Sequence, residues 1–349
     1  MSGQLLLAFL IGFFTLLFVW AFRILPSEGW QILATIPMRK EDGVWRGVNL
    51  TFYGFFNATA CVFSATLLLF LATSINVPVP MSLLLIGLVL VVCVPASRVL
   101  AGLVEGKRYT FTVAGASLIG FLILPFAIYT NNYLFASKTG SVVEFVPFLA
   151  AAAIALAFGE SLGRLACISF GCCYGRSLDE CHSSLRRLFR KHHFVFAGET
   201  KKVAYEANLA GLPVIPIQAV TAVVSALAGL AGTWLFLDGH WTAALLTAVI
   251  GTQGWRIVSE FLRADFRGGG RLSAYQLMAL TLICFSLLVV LLLPESAVAR
   301  PEVSSGINAL RDLRLVLSLE TTWLVIFLYF GRSMVTSARL SFHVERNRT

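Results

Sequence analysis

Apolar runs of roughly 20 residues, separated by shorter polar intervals, recur from one end of this 349-residue chain to the other. A helix needs about 20 mostly apolar residues to cross a bilayer. By that measure residues 5–22, 52–72, 81–100, 111–129, 145–165, 217–237, 241–262, 275–293 and the shorter 315–330 are expected spans. Backbone groups in lipid must bond within their own segment, so each span is expected to be a helix. The predicted fold is therefore all-α, a polytopic membrane bundle of about nine spans. The first run lacks basic residues before it and a small-residue cleavage site after it, and reads as a retained helix rather than a removed signal.

The interval 175–216 breaks this rhythm. It carries Arg186, Arg187, Arg190, Lys191, Lys201 and Lys202 with His182, His192 and His193, and is too long for a bare connection. Leu185, Leu188 and Phe189 have helical spacing under a basic face, as in an element lying on anionic headgroups; a solvated loop with a short helix reads the same. Basic residues concentrate in alternate intervals: 29–50, 97–110, 175–216, 263–271 and the tail from Arg332 fall on one face. Counted alone, they make that face cytoplasmic.

Composition agrees with lipid as the solvent. The chain is 58% hydrophobic and only 13% charged, with a mean hydropathy of +0.82, whereas soluble domains carry roughly 25% charged residues. Soluble enzymes, nucleic-acid modules and disordered tails are excluded as classes. The net charge of +9 sits in loops beside apolar runs, so anionic lipid rather than nucleic acid is the expected partner.

Ionisable residues at the edge of a span are costly and mark functional sites. Two groups qualify. Glu160, Arg164 and Cys167 are spaced i, i+4, i+7 on one helix face, and the helix then runs into a glycine-rich turn from Gly171 to Gly175 followed by Arg176. Such a turn can present backbone N–H groups to an anion. Arg256, Glu260 and Arg263 repeat the same spacing on a later span that also ends in a glycine-rich basic loop. Two such helices ending on one face can enclose a phosphate, which guanidinium groups grip bidentately. Interfacial arginines paired with nearby glutamates would account for each group singly.

Three cysteines, Cys61, Cys93 and Cys284, lie within apolar runs and read as packing residues. Cys167, Cys172, Cys173 and Cys181 cluster. Their spacing lacks the C-x-x-C of zinc sites, and no metal is expected; disulfides on an oxidising face or a reactive thiol are the other readings. No histidine falls within a span.

In order and spacing, these pieces resemble the prolipoprotein diacylglyceryl transferase family over residues 48–293. The matching positions are Tyr53-Gly54 at the first core span, Gly163-Arg164 leading through the turn to Gly175, Pro216-x-Gln218, Arg256 with Glu260 and Arg263, and Ser273-x-x-Gln276 opening the last core span. The Gly-Cys-Cys-Tyr-Gly turn marks a divergent branch. The family's Asn and Glu positions are here Cys167, Phe170 and Cys172, and its His-Gly-Gly is replaced by residues beginning Val113-Ala114-Gly115.

The resemblance implies a seven-span core (48–293, with a polar arm at 175–216), an added N-terminal helix and amphipathic linker (1–47), and an added C-terminal helix and basic tail (294–349). It implies transfer of a diacylglyceryl or other phosphatidylglycerol-derived group onto a protein, glycan or lipid acceptor, releasing glycerol phosphate, without a cofactor. Arg164 and Arg256 would stabilise the leaving phosphate, with Arg263 as a further charge. Glu160 and Glu260 would hold the guanidinium groups, and Glu160 is also a candidate base, as are Cys172 and Cys173 more weakly. Tyr53, Gly163, Gly175, Arg176, Gln218, Ser273 and Gln276 would contact substrate. The implied setting is the bacterial inner membrane with the active face periplasmic, opposite to the charge count. The alternative is a protein that binds or moves anionic lipid without chemistry; a channel or secondary transporter ranks last.

Overall fold

A computed structural model describes residues 3–105, 112–265, 272–293 and 298–348. Parts of two expected basic loops, at 106–111 and 266–271, lie outside the described residues. In chain order the elements are α1 (Gly3–Ile24), β1 (Ile32–Glu41), β2 (Val44–Thr51), α2 (Phe52–Ser74), α3 (Val79–Glu105), α4 (Val113–Thr139), α5 (Phe145–Phe170), α6 (Ser183–Phe189), β3 (Phe194–Val195), α7 (Lys202–Ala207), β4 (Pro213–Val214), α8 (Ile217–Leu237), α9 (Trp241–Glu260), α10 (Ala274–Leu292), α11 (Val303–Ala309), α12 (Leu313–Gly331) and β5 (Arg332–Leu340).

Each expected span is helical over its described residues, to within a few residues at its ends. Among the described residues, eight helices are long and apolar enough to cross a membrane: α1 to α5, α8, α10 and α12. The 20-residue α9 is not among them, because Gln253, Arg256 and Glu260 interrupt its apolar run. It packs against α5, α8 and α10, so its polar face meets protein rather than lipid. At the centre is α5, the most enclosed of the eight; it touches α2, α8 and α9. Gly159 of α5 approaches Ser64 of α2 closely, as small residues allow where membrane helices pack, and Gly163 lies in ordinary contact with Ala60.

The two outer helices are packed into this assembly. Leu6, Leu10, Phe14, Phe18 and Ala21 form the buried stripe of α1, and Phe14 stacks on Phe158 of α5 at 5.0 Å. Leu5, Phe9, Leu16 and Val19 on its other side are exposed, as a lipid-facing surface requires. In α12, Trp323 Nε1 donates to Thr59 Oγ1 of α2 (3.1 Å). Gly54 and Gly331 bring the two backbones together: a Cβ on Gly54 would lie 2.2 Å from the Gly331 Cα. Backbone cannot yield as a side chain does, so Gly54→Ala is expected to push α12 away and destabilise the protein by about 1–3 kcal/mol. Thermal unfolding in detergent would measure this.

One expectation needs correction. The linker before residue 47 and the basic tail are not loops but strands of one antiparallel sheet, ordered β1-β2-β5. Asp42 and Gly43, both at positive φ (50° and 81°), make the tight turn of the β1–β2 hairpin. Pro37 is accommodated because β1 is an edge strand. Buried Asn49 joins all three strands, accepting from Thr35 Oγ1 (2.7 Å) and donating to Thr336 Oγ1 (3.1 Å). The sheet therefore ties the start of α2 to the end of α12. The arm at 175–216 meets the same face: Gln31 and Thr200 exchange hydrogen bonds, and Ala197 N donates to Pro26 O. Within the arm, Leu185 and Phe189 of α6 pack inward on Leu178, Cys181 and Ile215, while Leu188 is exposed. The expected apolar stripe is thus split between protein and surface.

Candidate functional site

The end of α5 is built with care. The αL residue Gly171 (φ 73°) follows the helix, Gly171 N bonds Ile168 O and Cys172 N bonds Cys167 O, which is the Schellman ending. Lys201, fully buried, donates from Nζ to Ser169 O (2.6 Å) and Leu25 O (3.1 Å), placing a cation at the negative end of the helix. Cys173 then takes the left-handed conformation (φ 55°) and sends the chain into an extended stretch. Ala264 N donates to Tyr174 O, Arg176 N to Leu262 O, and Ile215 N to Arg176 O. The turn after α5 is thereby stitched to the end of α9 and the start of α8. Gly175 sits where these strands converge; a Cβ there would lie 2.4 Å from Ile215 O. Its glycine thus answers a close backbone approach.

This stitching brings the two arginine helices to one carboxylate. Arg256 Nη2 and Arg164 Nη2 both donate to Glu160 Oε1, at 2.5 and 2.7 Å. All three side chains are largely buried. The Nε of Arg164 is buried with no partner among the described residues. Buried donors are normally satisfied, which sets this one apart from the paired Nη2 of the same guanidinium. Tyr53 packs on Phe170 at 5.4 Å and lies within electrostatic reach of Cys167, Cys172 and Cys173. Gln218 Nε2 donates to Cys172 O (2.9 Å), while its Oε1 is buried without a partner among the described residues.

Other expected site residues are engaged differently. Arg263 forms a two-pronged ion pair with Asp265, 2.8 Å in each bond, and lies 3.9 Å from Glu260. It is still within electrostatic reach of Arg164 and Cys173. Glu260 accepts from Ser273 Oγ (3.2 Å), so the expected Arg256–Glu260 pairing along α9 gives way to a cross-helix pair with Glu160. Ser273 and Gln276 form a capping box on α10, and Gln276 Nε2 also donates to Ile257 O (2.9 Å); both serve the fold. Gly163 faces α2, and the Arg176 side chain is exposed. Two guanidinium groups thus share one oxygen of Glu160. All five histidines are exposed and outside the long helices.

Sequence reasoning missed Asp265 and Lys201. Asp265 follows Arg263 by two residues, a spacing that carries no helical signal. Lys201 looked like one more arm charge. Burial lowers its pKa to about 8, against an ordinary value of about 10.4. The charged form is therefore penalised in the fold: the penalty is complete below pH 8 and fades as pH rises towards the ordinary value. Stability is expected to increase across that window in unfolding measurements, and Lys201→Met should remove this increment.

The fold and site define a multi-pass membrane protein whose interior holds a guanidinium pair around a shared carboxylate. The family model for prolipoprotein diacylglyceryl transferase matches residues 43–292; the chain belongs to that family, the membrane transferases of lipoprotein biogenesis. No curated protein and no solved structure matches it.

Proposed function

We propose that the protein transfers a diacylglyceryl group from phosphatidylglycerol to an acceptor, in the bacterial inner membrane with its site on the periplasmic side. The acceptor's nucleophilic atom bonds to the glycerol carbon that carries the phosphate ester. The carbon–oxygen bond breaks, its electron pair leaves on glycerol phosphate, and the acceptor's proton passes to solvent. Charge grows on the phosphate as the bond breaks. Cations fixed in a dry site stabilise such charge without reorganising. Arg164 and Arg256 supply them, Glu160 holds their geometry, and Arg263 adds a more distant positive charge. The free Gln218 Oε1 would accept from a headgroup hydroxyl, and Tyr53 would bound the lipid. The buried Arg164 Nε, without a partner among the described residues, carries this reading.

One observation favours the alternative of lipid binding or movement without chemistry: every histidine is exposed and Glu160 is shared by two arginines, so among the described residues no side chain stands out as the base. Incubating the purified protein with headgroup-labelled phosphatidylglycerol and an envelope extract separates the two. Released labelled glycerol phosphate is the expected result. Retained but intact lipid would establish the alternative.

A further inference from the structure

We propose that Cys167, Cys172 and Cys173 form a binding site for a thiophilic d10 cation, with zinc the ion their geometry suits. Their sulfur atoms all lie within 4.8 Å of one another, and Cys167 and Cys173 are 3.8 Å apart, Sγ to Sγ. A tetrahedral zinc with bonds of about 2.3 Å sets its sulfurs about 3.8 Å apart. None of the three is in a disulfide. The spacing gave no zinc signature because the motif is completed by folding. Cys167 comes from the last turn of α5, and the Schellman ending followed by the left-handed Cys173 folds the next two thiols back over it.

The surroundings fit a metal thiolate. Three thiolates and a divalent ion leave one net negative charge. Arg164 lies in electrostatic reach of Cys167 and Cys173, Arg263 of Cys173, and Lys202 of Cys172 and Cys173. Gln218 fixes the Cys172 carbonyl, the kind of outer support that orients metal ligands. Among the described residues no fourth Cys, His, Asp or Glu joins the cluster, and a three-ligand zinc keeps one position for a water or substrate.

That open position suits an acceptor thiol, a clause that rests on the transferase reading. On coordination the thiol releases its proton to water and stays a thiolate. Its sulfur then bonds to the glycerol carbon as the carbon–oxygen bond breaks, the electron pair leaves on the phosphate, and the neutral thioether dissociates. The ion would thus do the work of a general base on the acceptor thiol.

The test uses the full-length protein in detergent, reduced and stripped with chelator, then titrated with Cd2+ alone. The expected result is a thiolate-to-cadmium charge-transfer absorption saturating at one equivalent, lost in a Cys167→Ser, Cys172→Ser, Cys173→Ser triple variant. Should that variant fail to fold, alkylation of the native protein decides. Bound zinc should block modification of these three thiols, while Cys61 and Cys284, which are exposed on the bundle, react at an unchanged rate. No absorption and no protection would overturn the site. So would protein that, purified without reductant, is two hydrogens lighter in intact mass and holds no metal, which would make the cluster a disulfide. One equivalent of metal bound without glycerol phosphate release would uphold the site and sink the transferase reading.

Discussion

Arg256→Ala and Arg164→Ala are each expected to lower glycerol phosphate release by at least about 100-fold, the loss typical when one preorganised donor to a developing anion is removed. The two guanidinium groups meet on one carboxylate oxygen (2.5 and 2.7 Å), so they occupy one site despite lying 92 residues apart in the chain. The loss should fall on both KM and kcat, because the phosphate is already anionic when it binds and gains further charge as the leaving bond breaks. Arg256→Lys should recover only a small part: an ammonium is a point charge and cannot keep the planar fork that holds Glu160 and phosphate together. Steady-state kinetics with labelled phosphatidylglycerol in mixed micelles would read both effects.

Glu160→Gln is expected to cost about 3–5 kcal/mol of stability, the range for removing one partner of a buried ion pair. The cost arises because two buried guanidinium groups would then face each other without a shared anion. A phosphate in the same place would supply one. Phosphatidylglycerol should therefore raise the unfolding temperature of Glu160→Gln more than that of the unaltered protein, since a ligand stabilises whichever form binds it more tightly. Zwitterionic phosphatidylcholine should not. A carboxylate that served only the fold would give the same loss of stability but no headgroup-specific recovery.

Apolar run length made the helices legible, and the order of motifs gave the family. Other features were hidden for identifiable reasons. Charge in the intervals 29–50 and 332–340 dominated their reading, while the Asp42-Gly43 turn and the strand pairing of β2 with β5 across nearly 300 residues left only a short local signal. The i, i+4 spacing of Arg256 and Glu260 is a real local option, but packing of α5 on α9 offered Glu160 instead. A motif also cannot say whether its residues touch substrate or hold the frame. Gly54 answers a close helix approach, and Ser273 and Gln276 cap α10. The thiol cluster needed the turn geometry after α5, which spacing alone does not reveal.

The central claim is that Arg164, Glu160 and Arg256 seat a phospholipid phosphate. Native mass spectrometry of protein released from bilayers of mixed phosphatidylglycerol and phosphatidylcholine tests it most directly. The protein should retain phosphatidylglycerol selectively, and Arg164→Ala and Arg256→Ala should lose that selectivity while staying folded. Equal retention of phosphatidylglycerol by the unaltered protein and both variants would contradict the account.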